Sequence, residues 1–299
     1  MDTAKTHNTF DTGICYLVAT PIGNLEDITY RAVRILREAD LICAEDTRTS
    51  RRLLEHYDIH TPITSYHEHN KRSKLPGLLE KLRSGQKLAV ISDAGSPGIS
   101  DPGEELVAAC MQEGIPVRVI PGPAAIICAA TGSGLSCRRL AFEAFLPVKK
   151  KKRLQVLEEL KHETRTIVIY EAPHHLRSTL NELYETLGNR RAALCRELTK
   201  LHEETLEMSL SDAIDHYSDR EPKGEYVIVI DGKTFSQIEE EKSGAYDHLT
   251  IEEHVRGYMD QGMDPKSAIK QTALDRNIPK RQVYDAVNGI KRGGAYGSD

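Results

Sequence analysis

The sequence predicts an α/β fold with two α/β domains and a small helical tail. The first domain is expected to hold a mostly parallel sheet and the second a mixed one. Three observations support this prediction. Short apolar runs alternate with longer amphipathic segments through the first part of the chain. A less regular alternation of the same kind follows. The last part carries helical patterns with no strand-like runs between them.

The first block alternates strand and helix patterns, which is typical of a parallel sheet with helices on both faces. We assign it to an N-terminal domain over residues 1–122. The predicted strands are 14–19, Leu41–Ala44, 63–66, 88–92 and Val117–Ile120. The predicted helices are 28–38, a segment around 51–54, 75–83 and 103–114.

The second block, residues 123–235, is predicted to form a second α/β domain. Because its strands do not alternate strictly with helices, we expect some antiparallel pairing. The predicted strands are 140–146, 166–170, 192–196, 203–208 and 226–231, and the predicted helices are 150–161 and 175–187.

A polar linker is predicted over residues 232–246, and a helical tail over residues 247–292. Its three helices are expected at about 249–261, 264–275 and 279–290, and the last two resemble a helix-turn-helix pair. Such a pair could place Lys280 and Arg281 on nucleic acid. A plain packing or dimerisation module is the favoured interpretation.

Composition limits the function classes. The chain has 299 residues with a net charge of -5, so any nucleic-acid contact must use local basic patches. Trp is absent and aromatic residues are only 5% of the chain, which argues against a base-stacking platform.

The six cysteines show no C-x-x-C spacing, and we interpret them as buried small hydrophobic residues of a reducing compartment rather than zinc ligands. The apolar run 14–19 is too short for a signal or membrane segment, so a cytoplasmic protein is expected.

Three loops rich in small residues follow predicted strands, at the sheet edge where ligands bind in open α/β folds. The second of them in the chain reads Ser92-Asp93-Ala94-Gly95-Ser96-Pro97-Gly98, and the others span residues 19–25 and 121–125. Glycines let the backbone approach a ligand closely, and Asp93 could accept a hydrogen bond from it. The simpler interpretation of residues 92–98 is a tight turn before a helix. No G-x-G-x-x-G or Walker lysine loop is present, which argues against a dinucleotide dehydrogenase or a P-loop nucleotidase.

Two further strand ends carry candidate acid–base groups. Glu45-Asp46-Thr47-Arg48 follows the second strand and could serve acid–base chemistry or substrate anchoring, or simply cap a helix. His67 and His69 follow the third strand, where an extended segment would place both rings on one side. A titrating or RNA-contacting histidine is favoured there over a metal ligand.

A run of basic residues marks a candidate RNA surface. Positive charge at a helix start is unfavourable against the helix dipole, which suggests a phosphate-facing role, although a solvated helix start is an equal alternative. Arg190, Arg191, Arg196 and Lys200 could extend this patch. The run consists of Lys149, Lys150, Lys151, Lys152 and Arg153.

Taken together, these segments resemble the tetrapyrrole-methylase-like (class III) S-adenosylmethionine methyltransferases and, within them, the ribosomal RNA small-subunit methyltransferase I family. The resemblance covers about residues 14–231, with its segments in order. Two departures are Ala144 and Ala172, where glycine and serine are expected. The resembling segments are 17–29, 44–48, 65–70, 92–103, 121–125, 145–147, 170–174, 196–200 and 223–225.

The resemblance implies a two-domain fold with S-adenosylmethionine in the interdomain cleft. It also implies 2′-O-methylation of a cytidine ribose in the decoding region of 16S rRNA, by a homodimer. It places cofactor contacts at Ile22, Asp93, Ala94, Gly95, Ile99, Ala124, Ala125, Glu171, Leu198 and Tyr226.

Asp46 and His67 match catalytic candidates of the tetrapyrrole relatives. We expect one of them to assist loss of the hydroxyl proton, while Arg48 and the basic run hold phosphates, with no metal and no membrane involved. Two alternatives remain: a small-molecule methyltransferase of the same fold, and a non-catalytic nucleic-acid-binding protein.

Overall fold

A computed structural model describes residues 12–99, 103–234, 236–238, 244, 246 and 248–293. The chain divides into two compact units after Asp231. Both sheets lie in the first unit, so the boundary expected near residue 122 stays a prediction. The end of the loop after the fourth strand, residues 100–102, lies outside the described residues, as do residues 235, 239–243 and 245 of the expected linker, whereas its described residues 236–238 are helical.

The first sheet is parallel throughout its described strands, in the order β3-β2-β4-β1-β5. This confirms the predicted strand–helix alternation. The strands are β1 Ile14–Val18, β2 Leu41–Ala44, β3 Ile63–Ser65, β4 Lys87–Ile91 and β5 Val117–Ile120. The helices are α1 Tyr30–Glu38, α2 Thr47–His56, α3 Lys71–Arg83, α4 Gly103–Gln112 and α5 Ala125–Gly132, with a 3-10 turn at Leu25–Asp27.

β1 lies inside this sheet and is buried on both faces. Successive side chains of a strand point to opposite faces. Tyr16 and Val18 accordingly pack in one apolar cluster that includes residues of α1, and Cys15 and Leu17 pack in another that includes residues of α3 and α4. A short apolar strand covered by helices on both sides is what a parallel sheet requires.

The second sheet is mixed, in the order β6-β7-β10-β8-β9, with β6 and β7 parallel and the other neighbours antiparallel. The expected antiparallel pairing is therefore confirmed. The strands are β6 Leu140–Phe145, β7 Thr166–Glu171, β8 Arg191–Arg196, β9 Glu204–Ser209 and β10 Tyr226–Ile230. The helices are α6 Lys150–Leu160, α7 Pro173–Leu187 and α8 Leu210–His216.

One apolar cluster joins the loop after β1 and helix α5 to the second sheet. Ile22, from the loop after β1, packs in the same cluster as Ala129 of α5 and Val227 of β10. Leu198, from the turn after β8, belongs to it as well. The edge of the first sheet that carries the small-residue loops is therefore joined to one face of the second sheet.

The structure corrects several expectations. Two helices were not predicted: α5 because Ala125–Gly132 is apolar nearly all round and shows no amphipathic stripe, and α8 because it is short. α3 begins at Lys71 rather than 75, since its first residues are polar and give no apolar pattern. Cys137 is exposed, so the cysteines are not all buried.

The second unit contains three described helices, Ile251–Asp260, Pro265–Asp275 and Lys280–Gly293, close to the predicted positions. Thr250 and Glu253 form a reciprocal capping box, and Asp264 caps the next helix. Val255, Ile269 and Val283 form its apolar centre. None of the helices described here is long and apolar enough to span a bilayer.

Candidate functional site

Three small-residue loops meet at the carboxyl edge of the first sheet, because β4, β1 and β5 are neighbours. The loops after β1 and β4 are joined by two backbone hydrogen bonds between Thr20 and Gly95, at 2.9 and 3.0 Å. Gly95 has φ +78°, and a Cβ there would lie 3.4 Å from Ile22 Cγ2. A Cβ on Gly122 would approach Ala19 Cβ to 2.9 Å, so the third loop also requires glycine for close packing.

These loops form one wall of a cavity of about 530 Å³, and residues of the second sheet form the opposite wall. The size is ordinary for a small-molecule site. Lining residues include Ile22, Glu45, Ser92, Asp93, Ala94, Gly95, Ile99, Ala124, Ala125, Tyr170, Glu171, Leu198, Lys200, Glu225 and Tyr226. All ten residues expected to contact the cofactor lie on this cavity. The structure thus brings the expected set together, while the contact role of each residue stays a prediction.

The charged groups on the cavity are mostly acidic. Glu45, Asp93, Glu171 and Glu225 line it, whereas Lys200 is the one lysine or arginine among the described lining residues. Carboxylates stabilise nearby positive charge by Coulomb attraction, most strongly where water is excluded. The cavity therefore suits a cationic ligand with apolar and polar parts.

Asp93 fixes the geometry of the rim. Its Oδ1 accepts a hydrogen bond from the backbone N–H of Asp46 at 3.0 Å. The loop after β4 is thereby tied to the end of β2. Since Asp93 also lines the cavity, it can orient a ligand while it holds the two loops in register.

Asp46 is occupied as a helix cap. Its carboxylate accepts from the backbone N–H of Arg48 at 2.8 Å and pairs with the Arg48 guanidinium at 2.9 Å. Hydrogen bonds from the side chain and then the backbone of Arg48 lower the pKa of Asp46 to about 2. So acidic a group accepts a proton poorly near neutral pH.

Glu45, the preceding acid, lines the cavity, whereas Asp46 is not among its lining residues. Successive residues at the end of a strand point in opposite directions, which explains the separation. Both acids are candidates for acid–base chemistry from the sequence, and the family resemblance favours Asp46. The structure identifies Glu45 as the one with direct access to the cavity.

His67 lies beside β3 and is not among the cavity residues. The segment holding His67 and His69 enters a turn, so the expectation of an extended segment there was wrong. The two rings are nevertheless close, with their centroids 6.0 Å apart. Asn70 Nδ2 lies 3.2 Å from His67 Nε2. His67 Nδ1 is buried and has no hydrogen-bond partner among the described residues. Among those residues, no group of three or more His, Cys, Asp or Glu could hold a metal ion.

Glu171 sits in a buried network beneath the cavity. It is 5% exposed, and its carboxylate accepts hydrogen bonds from the Thr179 hydroxyl and from the backbone N–H of Ala172. Arg153 Nη2 lies 3.8 Å from Glu171 and donates to Thr179 Oγ1 at 2.7 Å, while its Nε contacts Glu182 at 2.5 Å. Arg153 thus points inward and compensates a buried carboxylate.

The other basic residues separate into exposed and buried groups. The lysine run, Lys149 to Lys152, is exposed at the start of α6, and no acidic side chain of the described chain pairs with it. Arg48 is also exposed, although it pairs with Asp46. Arg190 is only 5% exposed and donates to the backbone carbonyls of Leu187 and Lys161, so it cannot extend a surface patch.

Tyr170 and Lys200 also line the cavity, although neither was among the predicted site residues. Tyr170 Oη accepts from the backbone N–H of Ile126 at 3.1 Å, which ties β7 to α5. Both residues lie inside segments that carried the family resemblance, and this was the available signal. Patterns of hydrophobicity alone give no reason to select them.

Comparison with known proteins agrees with this geometry. The family profile of tetrapyrrole (corrin/porphyrin) methylases matches residues 15–214. The ribosomal RNA small subunit methyltransferase I of Halalkalibacterium halodurans is 46% identical over 275 residues, covering 92% of this chain and 94% of that protein. The protein of that name from Bacillus subtilis is 45% identical, with 92% and 94% covered. The chain belongs to the ribosomal RNA small-subunit methyltransferase I family of tetrapyrrole methylases. It is a methyltransferase whose methyl donor is S-adenosylmethionine, as the sequence predicted.

Solved structures support the fold of this methyltransferase. Diphthine synthase superposes with a TM-score of 0.58 at 14% identity, covering 76% of this chain and 94% of its own. Uroporphyrin III C-methyl transferase from Thermus thermophilus gives 0.53 at 21% identity, covering 73% and 97%. At these identities the likeness concerns the fold alone.

The cavity of this methyltransferase fits its methyl donor. S-adenosylmethionine carries a methyl group on a positively charged sulfur, which becomes a neutral thioether once the methyl is transferred. The acidic lining on the parallel-sheet side, which includes Glu45 and Asp93, suits that charge, and the apolar side chains of Ile22, Ala124 and Leu198 offer surfaces for an adenosine. The two backbone hydrogen bonds at Gly95 keep the wall rigid, which reduces the cost of ordering on binding.

Proposed function

We propose that this chain methylates the 2′-hydroxyl of a cytidine ribose in the decoding region of 16S rRNA. The observation that carries the proposal is the convergence of all ten expected cofactor residues on one cavity, in a chain whose relatives are named for the small-subunit ribosomal RNA. The exposed lysine run supports an RNA substrate, since uncompensated lysines are the groups that contact phosphates.

The residues of the chain divide the work in this proposal. The loop holding Asp93, Ala94 and Gly95 binds and orients the donor. Apolar side chains such as Ile22 and Leu198 exclude water from the cavity. Alignment of the two reactants accounts for a large share of the rate in such a displacement.

The acceptor hydroxyl must lose its proton as the new bond forms. Asp46 and His67 stay our predicted candidates for this step, and Glu45 joins them because it is the carboxylate of the pair that lines the cavity. We assign Arg48 to RNA contact, and the exposure of its side chain, 89%, supports that role. It also sets the orientation of Asp46.

RNA binding is assigned to Arg48 and the lysine run. Arg153 was predicted as part of this surface. It would support RNA binding indirectly, because its ion pair with Glu182 holds α6, which carries the lysine run, against α7. The substrate is proposed to be the RNA within the small ribosomal subunit, in the cytoplasm.

A homodimer is part of the proposal. β5 is an edge strand of the first sheet, and its Val119 is 62% exposed. Ile127 on the following helix is 55% exposed. Exposed apolar residues beside a strand edge that no other described strand pairs with are a suitable subunit contact. Sedimentation of the full chain should then give twice the monomer mass.

The test combines binding and product mapping. Calorimetric titration with S-adenosylmethionine should show one site per chain. The enzyme should then transfer labelled methyl groups to small subunits purified from cells that lack the activity, with the label on a ribose 2′-oxygen of a decoding-region cytidine. Label on a base, or on a porphyrinoid acceptor instead of the subunit, would contradict the proposal.

A further inference from the structure

The turn after β8 places Lys200 on the cavity and contains two residues with unfavourable backbone conformations. Glu197 has φ +51° and Thr199 has φ +65°, in the left-handed region that side chains other than glycine rarely occupy. Each such residue costs on the order of 1–3 kcal/mol and persists where its surroundings enforce it. Leu198, which lies between these two residues, and Lys200, which follows Thr199, both line the cavity.

Two glycines enforce this turn by close contact. A Cβ on Gly23 would lie 2.4 Å from Lys200 Cγ, so the loop after β1 presses directly on the lysine stem. Gly224 has φ +80°, and a Cβ there would lie within 2.6 Å of the Glu197 side chain. The Lys200 stem is therefore packed against the loop after β1, and Glu197, one of its two carboxylate partners, is packed against Gly224.

The Lys200 ammonium is held by two carboxylates. Nζ donates to Glu197 Oε1 and to Glu225 Oε2, each at 2.9 Å. An ammonium group has three N–H donors, and the described residues satisfy two of them. Arg196 Nε, at the end of β8, and Thr199 Oγ1, in the turn, are buried with no partner among the described residues, and neither residue lines the cavity.

The surroundings of Lys200 place it at the mouth of the cavity. The Glu225 side chain is 80% exposed and that of Glu197 is 20% exposed, so the ammonium bridges solvent and interior. Burial alone would lower the pKa of Lys200, but its hydrogen bonds to Glu225 and Glu197 raise the pKa above the ordinary value. The Lys200 ammonium keeps its charge near neutral pH, and its third N–H can donate to an anionic oxygen, whereas a charged ammonium cannot remove a proton.

We propose that Lys200 contacts the acceptor RNA, its third N–H donating to the backbone phosphate beside the ribose that receives the methyl group. This rests on the proposed function. The contact would fix the ribose relative to the donor, so Lys200 acts in substrate positioning and not in donor binding.

Lys200→Met tests the proposal, with Lys200→Arg as the conservative variant. Lys87→Met is the matched control, because Lys87 is exposed at the amino end of β4, the edge opposite the cavity. Three quantities are measured: the Kd for S-adenosylmethionine, kcat/KM on undermethylated small subunits, and the salt dependence of binding to a decoding-region oligoribonucleotide.

For Lys200→Met we expect kcat/KM to fall by about 10- to 100-fold, the value of one charge-assisted hydrogen bond. The Kd for the donor should stay within about twofold, and the log–log salt slope should become shallower by about 0.7, as for one lost phosphate contact to a single strand. Lys200→Arg should recover part of the loss, and Lys87→Met should match the wild type.

Two results would overturn the proposal. A donor Kd raised tenfold or more with an unchanged salt slope would make Lys200 a ligand of the donor carboxylate. If Lys200→Met lowered the thermal stability and left the salt slope of RNA binding unchanged, the role of Lys200 would be structural. If the wild type does not methylate the subunit at all, the proposed function fails, while the salt slope of oligoribonucleotide binding still decides the role of Lys200.

Discussion

The two walls of the cavity are built by different means. On the parallel-sheet wall, small-residue loops after neighbouring strands are joined through backbone groups, as between Thr20 and Gly95. On the mixed-sheet wall, charged side chains such as Glu171 and Lys200 are held by ion pairs and buried hydrogen bonds. The first wall therefore depends on glycines, which allow close backbone contacts, and the second depends on contacts between charged side chains. Substitutions on the two walls should therefore fail in different ways.

Gly95→Val should have the largest effect. A β-branched side chain is strongly disfavoured at φ +78°, and its Cβ would press on Ile22. We expect donor binding to become undetectable by calorimetry, with methyl transfer reduced by about 100-fold or more because donor alignment is lost. Circular dichroism should confirm that the fold is retained.

Gly77→Ala is the control for a change of glycine as such. Gly77 is exposed within α3, and a Cβ there meets nothing within 4 Å. Its activity should equal that of the wild type, with a small gain in stability from helix propensity. If Gly95→Val kept its donor affinity, the backbone wall would not be the donor site.

Glu45→Gln and Asp46→Asn form the next comparison, between adjacent acids of nearly identical chemistry. We expect Glu45→Gln to lower the single-turnover rate by about 100-fold, within the range for general acid–base groups. Asp46→Asn should cost less than tenfold, because Asn keeps the helix-cap acceptor and Asp46, with a pKa of about 2, is a weak base.

His67→Ala completes this set. If Asp46→Asn lowered the single-turnover rate more than Glu45→Gln, proton removal would be assigned to Asp46. If only His67→Ala lowered that rate, proton removal would be assigned to the histidine. Full rates in all three folded variants would show that none of these groups assists proton loss.

The contrast between the walls also explains what the sequence could predict. The small-residue loops were found because glycine and proline after an apolar strand form a local pattern, and parallel strands bring such loops to one edge. The strand order that makes β4, β1 and β5 neighbours depends on long-range pairing, which local patterns do not encode.

The mixed-sheet wall was less accessible from sequence. Glu171 and Leu198 were expected only through the family resemblance. The roles of Arg153 and Lys200 depend on partners from distant segments, such as Glu171 and Glu225. No local pattern in the basic run shows that Arg153 turns inward, because its partners Glu182 and Thr179 belong to α7, a separate segment. Asp46 was chosen over Glu45 because its position matches the catalytic candidate of the tetrapyrrole relatives, and the side-chain directions at the end of β2 were not known from sequence.

Arg153→Met should reveal the mixed-sheet wall as a loss of stability. It removes the cation beside buried Glu171 and both hydrogen bonds that join α6 to α7. We expect the free energy of unfolding in urea to fall by about 2–3 kcal/mol, below the full cost of an isolated buried charge because Thr179 and Ala172 still donate to Glu171. Lys152→Met, one residue earlier but exposed, should leave that free energy unchanged. Equal effects of the two substitutions would show that the network contributes nothing.

The smallest effect concerns the pH dependence of the Lys200 ion pairs. The hydrogen bond from Lys200 lowers the pKa of Glu197 below its ordinary 4.5. A carboxyl whose pKa is depressed in the folded protein adds stability above the unfolded pKa and loses it as the pH falls through the folded one. At pH 7, Lys200→Met should therefore be less stable than wild type by about 0.5 kcal/mol, a value reduced by solvent screening. The difference should shrink as the pH falls from about 5 to about 3. Urea denaturation at several pH values measures it, with Lys87→Met as the control. A difference that stayed constant over this range would mean that Lys200 stabilises the turn by packing against Gly23 and not by charge.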